Sequence, residues 1–477
     1  MKKCLAVLAG LSIFAVSSAY AGCVDTYGIG AKATAMGGAY SAYADDPFAV
    51  HYNPAGLSQI KGPVMAAGVH VMDPSLTIKG FNIEGSKLAS KGVHRFGDDF
   101  PILVAPHMGY AMPINDKISF GIAAYAPWGL EVRWPKYQDG VYDSFHSYYE
   151  RLAVTPSISY KVNDKLSLGF GISLGYSKSG AEKYMSYFGT NNDPIPTLGG
   201  LTGQQFKNTV LASGPAHPLF SAALLDGARI DAEMEDDFNY GFNFGLMYKP
   251  TETITLGLTY RSHTQAKFSG DIKFTSPTLE QVFGSATQRG KVRMQYDHPQ
   301  QIQAGIRYQP HERFSMEFDI VWTNWSYNER QKETITFKGS SFDAIYDRKW
   351  DDTRQIRFGA EYIVNDWCTL RGGYFYDPTP IPDDTLDLMW PDADKKTYSI
   401  GAGFKVTQNL TIDTVFQITH IEQDRVIGGE SSNMNHAYET IVDPTNALGQ
   451  GVYDHPKVSA KAGGYLYGFG VTVSYAF

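Results

Sequence analysis

The last residues of the chain restrict its fold more than any other stretch. Counting back in twos from the terminus gives Phe477, Tyr475, Val473, Val471, Phe469, Tyr467 and Tyr465. The alternate positions are Ala476, Ser474, Thr472, Gly470, Gly468, Leu466 and Gly464. One face is large and apolar and the other mostly small or polar, which is the period-two signature of a strand. A terminal strand that ends in Phe, with aromatics at both ends, suits a barrel wall whose rings sit in the interfacial girdles of a membrane. The pattern recurs at Leu166, Leu168, Phe170, Ile172, Leu174 and Tyr176, and at Tyr240, Phe242, Phe244, Leu246 and Tyr248. It returns at Phe314, Met316, Phe318, Ile320 and Trp322, and at Ile356, Phe358, Ala360 and Tyr362. In a soluble sandwich the apolar face would be the core. In a barrel the order inverts, sending apolar side chains to lipid and Glu317, Asp319, Arg357 and Glu361 into the lumen.

Turn spacing favours the barrel. Tight turns fall at "PINDK" (113–117), "VNDK" (162–165), "KPTET" (249–253), "QPHER" (309–313), "VNDW" (364–367) and "VTQN" (406–409), with much longer irregular segments between them. Short turns on one side and long loops on the other are the asymmetry of outer-membrane barrels. Six short turns pair twelve strands. One strand at about 63–77 and the terminal strand make fourteen, an even number with both termini on the short-turn, periplasmic side. The expected fold class is therefore an all-β membrane protein, a 14-stranded antiparallel transmembrane β-barrel.

The other end of the chain agrees. Residues 1–21 read as a secretory signal: Lys2 and Lys3, an apolar run over 5–16, then small residues Ala19 and Ala21. Cleavage there removes two lysines and no acids, so the net charge moves from −8 to −10. A mildly acidic exported protein is a poor candidate for nucleic-acid binding. "AYAGC" only partly matches a lipoprotein signal, because Tyr20 stands where a branched aliphatic is expected. Cys23 and Cys368 alone survive cleavage, too few for a disulfide framework or a thiolate metal cluster. They read as two free thiols, with a single bridge between them the alternative that spacing does not support. No later stretch reaches the length of a membrane helix.

Two long outer segments carry apolar stripes. At about 185–235, Leu219, Phe220, Ala223, Leu224 and Leu225 suit one face of a helix, and at about 275–290, Leu279, Val282 and Phe283 suit another. Such stripes either pack together to cap the barrel or leave an apolar capture groove facing outward, and one arrangement can do both.

"ADDPFAVHYNPAGLSQ" (44–59) fits neither strand nor helix by pattern. Its Asp45 and Asp46, then six residues, then Asn53, Pro54 and Ala55, resemble the N-terminal hatch of the FadL family of outer-membrane transporters for long-chain fatty acids and related hydrophobic compounds. The likeness continues in "TNWS" (323–326), "YDPTPIPD" (376–383) and the terminal "SYAF" (474–477). It implies a signal peptide (1–21), a small hatch or plug (22–61) in the lumen, and a barrel over 62–477. It implies passive uptake: capture by outer loops, a buried apolar pocket above the hatch, and lateral release through a gap at a kink in the third strand. There Pro127, Trp128 and Gly129 are the expected kink, since Pro cannot donate to the ladder and Gly weakens it. The plug has a physical rationale too, because fourteen strands enclose a lumen too wide for strand side chains to fill. Small residues would let the segment pack compactly, and Asp45 and Asp46 would pair with lumen cations.

A fatty-acid ligand needs a cation for its carboxylate. Alignment of "LGYSKSGAEKY" with the fatty-acid members puts Lys183 at that position, and Arg348 and Lys349 in a later outer loop are candidates for a second. An uncharged aromatic or aliphatic hydrocarbon would need none. The resemblance implies a monomer in the Gram-negative outer membrane, lipopolysaccharide outside, with no catalytic residue, metal or cofactor. Two other classes compete: a general aqueous porin, which usually constricts its lumen with an inward-folded loop, and an outer-membrane lipid hydrolase, for which His51 and His420 lack an evident serine partner. The glycines of "GFGISLG" fall at alternate strand positions, which reads as lumen-facing small residues rather than a phosphate loop.

Overall fold

The structure, a computed structural model, describes residues 22–25, 28–83, 95–97, 102–135, 144–185, 199–217, 219–337, 339–427 and 458–477. The expected signal peptide (1–21) lies outside them. Fourteen antiparallel strands form a closed barrel. They are β1 (Val64–Ile83), β2 (Leu103–Pro113), β3 (Ile118–Arg133), β4 (His146–Lys161), β5 (Leu166–Tyr184) and β6 (Arg229–Tyr248). Next come β7 (Ile254–Arg261 and Thr264–Thr275), β8 (Thr287–His298 and Gln301–His311), β9 (Phe314–Thr323 and Arg330–Phe337) and β10 (Ser340–Asp347 and Thr353–Asn365). β11 (Cys368–Asp377), β12 (Lys395–Lys405), β13 (Leu410–Ile427) and β14 (Val458–Ala476) complete the wall. Each strand pairs with its sequence neighbours, and β14 closes on β1 from Val64↔Ala476 to Ile83↔Val458. Closure matters because hydrocarbon offers unpaired backbone groups no alternative partner. No helix among the described residues is long and apolar enough to cross a membrane.

All six tight turns join consecutive strands as the spacing predicts. In the lower wall the alternation points as expected: on β14, Tyr465, Tyr467, Phe469, Val473 and Tyr475 are exposed while Gly468, Gly470 and Thr472 face inward. Glu317 and Asp319 are fully buried in the lumen.

The strands run further outward than the sequence suggests. β1 continues past residue 77, and β6 begins at Arg229, inside the segment expected to be loop. On this outer extension the polarity inverts. Ile230, Ala232 and Met234 point inward and are buried, while Glu233 and Glu235 are exposed. The same holds for Ala266, Phe268, Ile272 and Phe274 of β7 and for Val292, Met294 and Tyr296 of β8. The apolar residues keep to even positions along β6 except at Asp236 and Met247. What changes is the strand, which bulges at Asp237–Phe238 (Gly175↔Asn239, then Ser177↔Asp236) and so turns its even face from lipid to lumen. Breaks at 262–263 and 299–300 do the same for β7 and β8. The result is a lower wall that is apolar outside and an upper chamber that is apolar inside.

Residues 28–60 fold within the lower lumen as α1 (Ala31–Ala35), α2 (Ala49–Tyr52) and a 3₁₀ turn (Pro54–Gln59), most of them buried. Their backbone comes very close to the wall. A Cβ on Gly169 would lie 2.2 Å from the Ala55 nitrogen, and one on Gly373 would lie 2.1 Å from the Gly37 nitrogen. Those wall positions need glycine for the room it leaves.

Candidate functional site

The upper chamber is lined by a relay of rings. Trp390 stacks on Tyr296 (5.9 Å, 9°) and meets Trp350 edge-on at 5.7 Å. Trp350 meets Trp325 at 5.4 Å, and Trp325 meets Trp128 at 5.7 Å. Tyr149, Phe268 and Met294 pack into the same buried cluster. The relay runs from an outer loop to the wall at β3 and offers largely apolar ring surface, while the buried indole N–H groups of Trp350 and Trp390 and the Tyr296 hydroxyl have no hydrogen-bond partner among the described residues.

The top of the relay comes from the connection between β11 and β12, residues 378–394, which folds inward. Leu386, Asp387, Leu388 and Trp390 are buried. Trp134 donates its indole N–H to the Leu388 carbonyl (3.1 Å), and Ser147 donates to that of Met389 (2.9 Å). An inward-folded loop is thus present together with a lumen-filling N-terminal segment, a combination the sequence reasoning did not foresee. The available signal was the run Leu386, Leu388, Met389, Trp390 inside an otherwise acidic, proline-rich loop.

Two of the three candidate cations come together on one ring. Lys183 donates to the Tyr346 hydroxyl (3.3 Å), and the Arg348 guanidinium lies 5.4 Å from the Tyr346 ring centre. Arg348 already holds a carboxylate: it is paired with Asp387 at 2.6 Å, both side chains almost fully buried, and it also donates to Gln331. Lys349 points elsewhere, to Asp384 at 3.2 Å in solvent.

The outer stripes meet in part: Leu224 and Leu279 lie in the same buried cluster, and the Ser276 hydroxyl donates to the Leu224 carbonyl (3.4 Å). Leu219 and Leu224 are buried, and Phe220 packs partly buried against the chamber cluster. α3 (Gly203–Ser213) and α4 (Phe220–Leu225) pack together through Val210, Leu219 and Ala223. On α5 (Pro277–Phe283) the expected single face is divided, with Leu279 fully buried while Val282 (44%) and Phe283 (41%) are exposed.

β3 breaks where Pro127 and Gly129 stand. Its ladder with β2 ends at Met108↔Ala124, and its register with β4 shifts between Tyr125↔Ala153 and Trp128↔Arg151. Beyond Ala124 the β2-facing edge is taken instead by the N-terminal strand Gly22–Asp25, which pairs with Trp128, Gly129 and Leu130. Pro127 and Trp128 are buried, turned into the lumen beside a cavity of about 50 Å³.

The floor is the N-terminal segment. Asn53, fully buried, donates to the carbonyls of Ser41 (2.6 Å) and Leu246 (3.0 Å) and accepts from Ala55 N–H (3.0 Å), while Pro54 starts the 3₁₀ turn. Wall acids receive its backbone: Ala42 N–H reaches Glu317 (2.7 Å), and Ser41 N–H reaches Asp319 (3.1 Å). Of the two acids expected to pair with lumen cations, Asp45 does so and Asp46 does not, and the cation comes from the segment itself rather than from the wall. Asp45 bonds Lys32 of the same segment (2.7 Å), and Asp46 accepts from Tyr40 and the Phe48 N–H, because the segment closes on itself before it meets the wall. Burial, and then the charge of Asp45, push the Asp46 carboxyl up to about 6.

A family profile described as outer membrane protein transport protein (OMPP1/FadL/TodX) matches residues 10–477. A long-chain fatty acid transport protein of Escherichia coli O6:H1 is 26% identical over 418 residues, spanning 84% of this chain and 88% of that one. Outer membrane protein P1 of Haemophilus influenzae is 25% identical over 423 residues (83% and 87%). Among solved structures, a Pseudomonas aeruginosa FadL homologue superposes with a TM-score of 0.72 at 20% identity, covering 97% of this chain and all of the other. The P. putida toluene transporter TodX gives 0.67 at 17% identity (95% and 99%).

Proposed function

The chain belongs to the OMPP1/FadL/TodX family of outer-membrane transport proteins, and from that premise we propose that it takes up long-chain fatty acids or similar amphiphiles without an energy source. The observation that carries the reading is the ring relay from Trp390 to Trp128, which joins the outer mouth to the β3 break through apolar contacts. In this reading Val282 and Phe283 present the first apolar surface outside. The chain of the ligand then moves along the relay while Lys183, with Arg348 behind it, attracts the carboxylate. Residues 22–61 act as the plug that denies water a straight path, and the ligand leaves sideways at Pro127–Gly129 once the N-terminal strand withdraws from that edge. The protein works as a monomer with both termini on the periplasmic side.

An uncharged hydrocarbon is the second reading, favoured by the Arg348–Asp387 pair, which leaves that cation already neutralised. Binding of oleate and methyl oleate to the purified protein separates the two. The acid should bind at least tenfold tighter, and Lys183→Ala should remove most of the difference. Equal affinity in the parent would transfer the assignment to uncharged ligands. A large steady conductance in planar bilayers would count against the plugged, sideways route altogether.

A further inference from the structure

The wall is also interrupted between β6 and β7. The two strands pair from Tyr248↔Leu256 to Asn243↔Arg261 and again from Glu235↔Ser269 to Arg229↔Thr275. Between these ladders Ser262 and Phe242 still exchange hydrogen bonds (2.8 Å each). Beyond them, Asp236–Gly241 and His263–Phe268 face each other unpaired. The cause is an offset. β6 turns its faces over at Asp237–Phe238, but β7 does so at 262–263, the level of Gly241 and Phe242 on β6. Over the stretch between, one strand points its even residues out and the other points them in, so no register satisfies both. Exposed Phe238 (62%) and Tyr240 (56%) rim the opening on the lipid side. Tyr240 lies about 26 Å along the tilted strand from Tyr248 at the opposite end, which sets the window at the outer edge of the apolar band.

The cavity of about 50 Å³ lies directly behind this window. Gly241 and Thr264 form its mouth, and a Cβ on Gly241 would lie 2.3 Å from the Thr264 hydroxyl, so that hydroxyl closes the gap. Arg151, Arg261, His51 and His298 line the cavity, and none of its lining residues is acidic. Arg151 is 3% exposed and donates to Asn239 (2.6 Å) and Ser173 (3.1 Å); no carboxylate among the described residues lies within ion-pair distance of it. Asp236 reaches this guanidinium only through Asn239, which donates to the Asp236 carboxylate (2.9 Å). The buried cation thus has no anion in direct contact, a costly arrangement. It faces a space that holds about three or four water-sized groups, room for a carboxylate head and not for an alkyl chain.

We propose that the β6–β7 window is a second lateral portal, with Arg151 holding the acid head of an amphiphile in the cavity while its chain passes between the strands into the outer leaflet. This rests on the uptake reading above. It adds an exit that does not require the N-terminal strand to leave β3, and it assigns that exit to acids.

The test staples the window. In a Cys23→Ser, Cys368→Ser background, Asp237→Cys with Lys267→Cys places two outward thiols opposite each other across the unpaired stretch. Glu235→Cys with Ser269→Cys does the same on the ladder above, as a control. After treatment with a short bifunctional thiol reagent cleavable by reductant, the 237–267 pair should lose at least fivefold of oleate uptake by whole cells and regain it on reduction, with the control pair unchanged. Arg151→Gln should lower oleate uptake at least threefold while methyl oleate uptake holds. Parent-level oleate uptake in the stapled 237–267 protein, in a parent that binds and imports oleate, would overturn the portal alone. A parent that neither binds nor imports oleate would overturn the portal and the uptake reading together.

Discussion

Replacing Asn53 by Ala should loosen the lumen-filling segment without disturbing the barrel. The carboxamide is fully buried and makes three hydrogen bonds, two of them donated to carbonyls (Ser41 and Leu246) and one accepted from Ala55 N–H. Only one of the three reaches the wall directly, but the other two hold the segment in the shape that fits there. Each is worth about 1–1.5 kcal/mol once the partner is left unsatisfied, so the substitution costs roughly 3–4.5 kcal/mol in docking. At tenfold per 1.4 kcal/mol, the undocked population rises on the order of a hundredfold to a thousandfold. Asn53→Asp should be no better, since it keeps the acceptor but sets a carboxylate against two carbonyls. Hydrogen exchange read by mass spectrometry should show faster exchange for the amides of α1 and α2, while the β12–β13–β14 ladders serve as an internal control. Brief conductance openings in planar bilayers should accompany it. Protection of α1 and α2 within threefold of the parent would refute the reasoning and leave backbone packing against Gly169 and Gly373 as the anchor.

Restoring a regular β3 with Pro127→Val and Gly129→Val should reduce oleate uptake in whole cells severalfold; undiminished uptake would remove β3 as an exit. Asp387→Asn frees Arg348 from its buried partner and should tighten oleate binding severalfold, read by tryptophan fluorescence, whereas Arg348→Met should weaken it; matched effects would mean that the pair only holds the loop. The Asp46 carboxyl, raised from 3.8 to about 6 in the docked segment, takes up its proton more readily there than when free. Docking therefore strengthens as pH falls from 7 towards 5. The gain is at most about tenfold by linkage and roughly threefold after allowing for partial exposure. Asp46→Asn should flatten that dependence in exchange rates corrected for intrinsic chemistry.

Much of the wall could be read directly. Each tight turn carried its own Asn, Asp or Pro signal, and each lower strand its own period-two pattern, so the strand number needed no long-range information. The site was legible only in part. Pro127 and Gly129 marked the β3 break because their backbone chemistry is local, and Lys183 and Arg348 do meet at Tyr346. The partners of Arg348 and Lys349 were not legible, because those ion pairs depend on what a distant loop brings within a few ångströms, and those of Asp45 and Asp46 depend on how their segment closes on itself. The division of Leu279 from Val282 and Phe283 was hidden for the same reason.

The amino-acid sequence by itself determined the period, and with it the strands, their order and their closure, because alternation and turn chemistry are properties of a few consecutive residues. It did not determine which way each face points. Along β6 the apolar residues hold the even positions from Ile230 to Tyr248 almost without interruption, yet the lower ones meet lipid and the upper ones line a chamber. A bulge at Asp237–Phe238 and breaks at 262–263 and 299–300 decide this. They arise where neighbouring strands must stay in register around a closed wall, a condition that no single strand carries. The aromatic chamber, the window between β6 and β7 and the cavity behind it all follow from where those turnovers fall.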